Sequence, residues 1–271
     1  MKKIMTILVL ALTAVSALAQ SLPLRSGGEG LPFKGGEEFG FKLHYKWGII
    51  NSDVAYATMS VEDAVCDGRT AYTAKIFGQS SKFYDTFFKV REDFRSTFDE
   101  SLLPMRFWRE TNEGKWYCKN DAVYDWDSSR ATFTIENSSL EEPKTKILSL
   151  SEGTCDITSM VYQMRNVDVA ALQEGARYVG TMMLDGETFT MSLTYTGKED
   201  FKDKLLGKVE CLRFAVRLNA GETFDTKEDL VLLFTNDENR IPVRFEAPFK
   251  FGAVSGRLVS YKGLKYPGKY K

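Results

Sequence analysis

FGFKLHYKWGIINSDVAYATMSVE, residues 39–62, alternates so regularly that its reading decides the fold class. Phe39, Phe41, Leu43, Tyr45 and Trp47 share one face of an extended chain, while Lys42, His44 and Lys46 share the other. Side chains alternate across a strand with period two, so this run of apolar and aromatic residues in phase predicts a half-buried strand. Gly48 to Asp53 is expected to turn the chain, after which Ala55, Ala57, Met59 and Val61 keep a common face and complete an antiparallel hairpin.

The same signature recurs after that hairpin. AYTAKIF (71–77), FFKVREDFRSTF (87–98), LPMRFWRE (103–110) and ATFTIEN (131–137) carry β-branched or aromatic residues bounded by turn formers such as Asp67-Gly68. VECLRFAVRL (209–218), DLVLLFT (229–235), RIPVRFE (240–246) and GAVSGRLVSY (252–261) make a second strand-rich half. Asp185-Gly186 between two apolar runs is a strong hairpin signal. Only CDITSMVYQMRNVDVAALQEG, residues 155–175, has helical spacing: Asp156 can cap a turn bearing Ile157, Met160, Val161 and Met164, and Asp168 can cap a second, shorter one. The expected fold is mainly β, a large curved antiparallel sheet, barrel-like or half-barrel, with one or two short helices near 156–174.

Towards the N-terminus, MKKIMTILVLALTAVSALAQ sets Lys2 and Lys3 before an apolar run that closes on Ala17-Leu18-Ala19. This pattern predicts a secretory signal peptide over residues 1–19, cut near Ala19-Gln20, and the run is shorter than the roughly 18–20 residues that span a bilayer. No cysteine follows it to take a lipid anchor, and no later segment is apolar enough for a transmembrane helix. The expected location is therefore the periplasm or the extracellular space. Residues 20–36, rich in Gly, Pro and Ser, are expected to form a flexible lead-in, and 37–271 a single β-rich domain, divisible into two sheet halves joined near 140–176.

Lys plus Arg total 36 against 37 Asp plus Glu, which provides no electrostatic footprint for nucleic acid. Cys66, Cys118, Cys155 and Cys211 contain no CxxC pair; their even number permits two disulfides in an exported protein, or buried free thiols. His44 is the single histidine and sits on the lysine-bearing face of its strand. Nucleophile elbows, zinc motifs and phosphate-cradling loops are absent from the sequence, so no catalytic residue, metal ligand or cofactor is assigned. Glu92-Asp93 and Glu228-Asp229 are adjacent carboxylate pairs whose members point to opposite faces of a strand. Asp237-Glu238-Asn239 lacks the ligand spacing of a calcium loop and suits a three-residue hairpin turn, with Asn239 left-handed and Pro242 requiring a sheet edge or a bulge.

Three stretches, GGEEFGFKLHYKWGIINSDVAYATMSV, CDITSMVYQMR and FTNDENRIPVRFEAPFKFGAVSGRL, together resemble the exported bacterial family known as domain of unknown function 3108. The matching positions are Gly36, Glu37, Tyr45, Gly48, Asp156, Ser159, Tyr162, Arg165, Thr235, Asp237, Arg240 and Pro242; NSDVAYA departs by lacking a glycine near Asp53. The resemblance implies a β-rich exported protein with no activity to transfer, similar in architecture to the curved sheets of periplasmic lipoprotein carriers. Tyr45, Tyr162, Arg165 and Arg240 among these positions, with Trp47 on the Tyr45 face, are the candidate binding residues. The expected role is non-enzymatic binding or envelope maintenance, with an apolar, aromatic groove for lipid or glycan. The alternatives are a carboxylate-based enzyme acting on envelope polysaccharide and a structural interaction module without a cavity.

Overall fold

The computed structural model describes residues 20–25, 30–219, 230–249, 252–267 and 270. The leader expected over residues 1–19 and the Glu228-Asp229 pair lie outside the described residues. β1 (Glu37–Trp47) and β2 (Ile50–Cys66) form the expected hairpin, paired from Glu37 with Val61 to Trp47 with Ile50. Its turn is Gly48-Ile49 alone and not Gly48 to Asp53: Gly48 takes a φ of 54°, which lets the chain reverse within two residues.

From there the chain runs as a meander. β3 (Arg69–Ser80), the short helix α1 (Lys82–Asp85), β4 (Val90–Asp99), β5 (Pro104–Glu113), β6 (Trp116–Asp125), β7 (Arg130–Asn137) and β8 (Lys144–Ser149) make one half. β9 (Thr154–Cys155), helix α2 (Ile157–Arg165), a 3-10 turn at Val169–Ala171, β10 (Arg177–Leu184), β11 (Glu187–Asp203), β12 (Gly207–Asn219), β13 (Leu230–Thr235), β14 (Pro242–Phe249) and β15 (Gly252–Lys262) make the other. One 15-stranded sheet results, in the order β8-β7-β6-β5-β4-β3-β2-β1-β15-β14-β13-β12-β11-β10-β9, antiparallel except between β9 and β10.

The pairing of β1 with β15 welds the two halves, and the sheet's outer strands β8 and β9 follow one another directly in the chain. They do not pair, so the sheet curls without closing. The hollow is occupied by α2, which touches β3 and β4 on one side and β9 and β10 on the other. Asp156 begins this helix as expected: its Oδ1 accepts from the Thr158 and Ser159 amides at 2.9 and 2.8 Å, and Ser159 Oγ accepts from the Asp156 amide at 2.9 Å. A hydroxyl from the sheet, Ser96 Oγ, donates to the other Asp156 oxygen at 2.6 Å. Tyr162 faces one core cluster with Phe33, Phe39 and Phe98, whereas Met160 and Met164 face a second with Met182, Met191 and Phe214. A helix enclosed by sheet needs apolar residues around much of its circumference, and α2 has them.

Three local expectations are corrected. The lead-in is packed where it is described: Gln20 bridges Tyr178, Leu24 bridges Val167, and Leu31 and Phe33 are fully buried, because the curled sheet leaves an apolar mouth that they cover. The strand expected over 87–98 starts at Val90, and β6 and β8 form where the sequence carries no clear strand signal. The inner face of β6 mixes Cys118 and Asn120 with Ala122 and Tyr124, and β8 is an exposed edge, so neither shows a clean apolar alternation. Finally, the left-handed residue after β13 is Arg240, with φ 50°, and not Asn239. Asp237 Oδ1 accepts from Thr235 Oγ1 and from the Asn239 and Arg240 amides, which fixes a longer loop. Pro242 opens β14 opposite Phe234 where the register slips, an interior bulge of the kind a missing backbone donor demands.

Candidate functional site

The five candidate binding residues fall into two places. Arg165 donates to Glu37 through both terminal nitrogens, at 2.5 and 2.9 Å, and to the Asn239 and Arg240 carbonyls at 2.9 and 3.1 Å. Its guanidinium also lies over the rings of Phe33, Phe39 and Tyr162. Tyr162, Arg165 and Glu37 are buried, and Arg240 nearly so, its side chain turned to Asn236 Oδ1 at 3.0 Å. Burial pushes the Glu37 carboxyl above the ordinary carboxylate range against the opposing charge of Arg165. Arg165, which burial alone would lower, is held protonated by Glu37. The β1 start, the helix and the late hairpin therefore meet in one buried knot, with Tyr162 and Arg165 closed to solvent. Tyr45 stands about 27 Å along β1 from Glu37, and Trp47 is half exposed at the strand's far end, so neither joins it.

Between α2 and that far end, the two halves enclose a cavity of about 260 Å³. Phe41 and Leu43 of β1, Ala57 and Met59 of β2, Ile76 of β3, Phe94 of β4 and Val161 of α2 make one wall; Leu232, Phe234 and Phe245 make the other. Alternation supplies these side chains, since they occupy the inward phase of each strand. Gly78 leaves a gap directly opposite Glu92, and the ring of Phe245 lies across Gly256, where any side chain would collide with it. The ionisable groups on the lining are Glu92 and Arg244.

Glu92 departs from the surrounding apolar phase, and a chain of hydrogen bonds explains how it is tolerated. Thr111 Oγ1 donates to Glu92 Oε2 at 2.6 Å and accepts from Arg109 Nε at 2.8 Å. Arg109 Nη1 then reaches both oxygens of Asp185, at 2.6 and 2.8 Å. Asp185 belongs to the Asp-Gly turn expected from the sequence, left-handed at Asp185 (φ 53°) and Gly186 (φ 65°); the turn docks into the first half beside Asn120 and Cys118. Burial raises the Glu92 carboxyl to about 7; Thr111 and Arg109 oppose the shift, and the neighbouring Glu113 carboxyl reinforces it. At neutral pH this group is divided between a neutral donor and an anion.

Sequence reading places Glu92 and Asp93 on opposite faces, and they are: Asp93 faces out to Lys75 and Arg95. The signal that would have singled out Glu92 is a carboxylate in phase with Val90, Phe94 and Phe98. His44 lies on the outer face, bonded to Asp53 at 3.0 Å and Asn51 at 2.7 Å, with its pKa raised by the contacts to Asn51 and Asp53. Among the described residues no group of three His, Cys, Asp or Glu side chains is placed to hold a metal.

Comparison with known proteins adds a family and a fold. The model of the family described as protein of unknown function DUF3108 matches residues 41–259. Among solved structures the chain is similar to a beta-barrel-like protein of domain of unknown function DUF1849 from Brucella abortus, at 13% identity and a TM-score of 0.55, covering 91% of this chain and 100% of that one. No curated protein matches.

Proposed function

The chain belongs to the DUF3108 family of proteins of unknown function, and within that family we propose that it is an exported, non-enzymatic carrier that holds an acyl chain in the cavity beside α2. The observation that carries this reading is the lining: mostly aliphatic and phenyl side chains, with ionisable groups confined to Glu92 and Arg244. A sugar ring requires many hydrogen-bond partners around its circumference, whereas an acyl chain requires apolar contact and one polar anchor. A volume of about 260 Å³ lies just under the roughly 300 Å³ at which small-molecule sites begin, which suits one chain better than a bulky head group. The leader-like start, Lys2 through Ala19, supports export.

The alternative of a carboxylate enzyme draws support from Glu92, since a carboxyl near 7 in an apolar setting suits a general acid. Glu113, the carboxyl that acts on it, is not on the cavity lining, however. A glycosidase needs two carboxyls facing the bond across one cleft, and the lining offers Glu92 alone, which favours the carrier.

Titration with cis-parinaric acid, a fluorescent fatty acid, tests the reading. Saturable binding with a Kd on the order of micromolar is expected, weakened at least about tenfold by Ala57→Phe, which fills the cavity. Absence of saturation, or equal affinity in Ala57→Phe, would exclude an acyl site here.

A further inference from the structure

The far end of the curled sheet carries a surface that neither the knot nor the cavity uses. The β1–β2 hairpin runs on about 17 Å from Ala55, opposite the last residue of β3, out to Ile50, with β15 paired beside β1 as far as Lys46. At its tip Ile49 is fully exposed, and Trp47 half exposed. Beside it the β3–β4 connection turns outward: Phe83 and Phe87 stack edge to face at 5.5 Å, yet remain 67% and 74% exposed. Phe88 follows, lying against Gly114 of the β5–β6 turn, which joins that turn to the same end.

Folding does not explain these residues. Single exposed apolar side chains are ordinary, but several large ones on neighbouring turns mark an interaction surface. α1 has no buried residue, so its rings are not anchors for the connection. What lies among them identifies the partner: Lys46, Lys82, Lys89 and Lys115 are all exposed on the same turns. Of the acids on these turns, Asp85 is engaged by Arg91 at 2.6 Å, and Glu113 is half-buried, turned towards Glu92. Among the described residues, the exposed acids Glu141 and Glu142 stand on the β7–β8 connection and Glu187 at the β10–β11 turn, facing Lys146, all on other turns of this end. Aromatic and aliphatic tips interleaved with lysines match the interfacial zone of a bilayer, where rings sit at head-group depth and lysines meet anionic phosphates. A protein partner of the usual kind would favour arginine over lysine among such apolar anchors.

We propose that this end, formed by the β1–β2 tip, the β3–β4 connection and the β5–β6 turn, docks on the surface of a bilayer containing anionic phospholipid. The hairpin and the Phe83–Phe87 pair enter the head-group region, and the lysines hold the molecule there by charge. Docking does not depend on what the cavity holds.

Vesicle flotation of the purified protein, compared with Ile49→Ser/Phe87→Ser, tests this. Both side chains are exposed, so the variant folds, and any contribution of residues 1–19 is common to the two proteins. Binding is expected to phosphatidylglycerol–phosphatidylcholine vesicles and to weaken about tenfold or more in the variant. It should also weaken as salt rises. Ala57→Phe should float like the wild type, which separates this surface from the acyl site. Failure to float with mixed vesicles, or equal flotation of the serine variant, overturns the proposal. So does a self-association that the serine substitutions abolish while flotation is absent, because a second copy would then be the occupant.

Discussion

Arg165 of α2 grips Glu37 of β1 through two charge-assisted hydrogen bonds, with their side chains 0% and 1% exposed. Removing one member of such a pair leaves a charge in apolar surroundings, at a cost of about 3–5 kcal/mol. The two removals are not equivalent. Glu37→Leu strands a guanidinium that cannot lose its proton, so that variant's own stability is expected to gain no pH dependence from this site. Arg165→Met strands a carboxyl that can take one up, so that variant is expected to be least impaired in acid and to weaken as pH rises. Urea denaturation of both between pH 4 and 8 measures the asymmetry; parallel pH profiles would show that the pair is not ionic in the native state.

This knot also marks the limit of what the sequence discloses. Alternation such as Phe39 to Trp47 names strands and their inner faces, and Asp156 with Ser159 names the helix start, because those signals are local. The meeting of Glu37, Arg165 and Asn239 depends on three segments converging, which no periodicity encodes. Glu92 is visible as a residue out of phase on an apolar face, but its significance requires Gly78, Thr111 and the cavity wall. The left-handed position of Arg240 escapes sequence reading because asparagine ordinarily takes that conformation, whereas here Asp237 fixes the amides of Asn239 and Arg240 together.

All four cysteines are buried free thiols. Burial pushes Cys118 up to about 11 and Cys211 up to about 12, and raises Cys155 further. At pH 8 almost none of these three is thiolate, the form that reacts. Iodoacetamide under native conditions is therefore expected to leave them unmodified over a period in which urea-unfolded, unreduced protein gains four adducts. Two missing adducts in the unfolded sample would reveal a disulfide.

Asp185 ties the β10–β11 turn to the opposite half through Arg109, whose side chain is 12% exposed. The outer strands of the sheet do not pair, so this tie is one of the contacts holding the curl shut. Asp185→Ala is expected to destabilise by about 1–3 kcal/mol, since it leaves Arg109 partly buried without its carboxylate. Faster hydrogen exchange should appear in β10, the turn and the start of β11. Uniform exchange changes, or none in the turn, would show that the tie does not hold the halves together.

Glu92 makes the stability of the fold depend on pH in a direction opposite to that of an ordinary salt-bridged carboxylate. Its folded pKa, about 7, lies above the ordinary value of 4.5, so the native state binds the extra proton between those limits. Stability is therefore expected to be full below about pH 4.5, to fall as pH rises towards 7, and to level off above it. Thr111 can still donate to an amide oxygen, so Glu92→Gln keeps the contact while removing the charge. That variant is expected to be more stable than the wild type at pH 8 by about 2 kcal/mol, after allowance for partial solvent exposure, and equal to it near pH 4. Thermal melts across that range decide the matter. If Glu92→Gln weakened the fold at pH 8, the Arg109 chain would have to stabilise the ionised carboxylate more than burial opposes it. In the carrier reading the same variant retains acyl binding at pH 8, because a neutral anchor beside an apolar cavity is what the protonated wild type already presents.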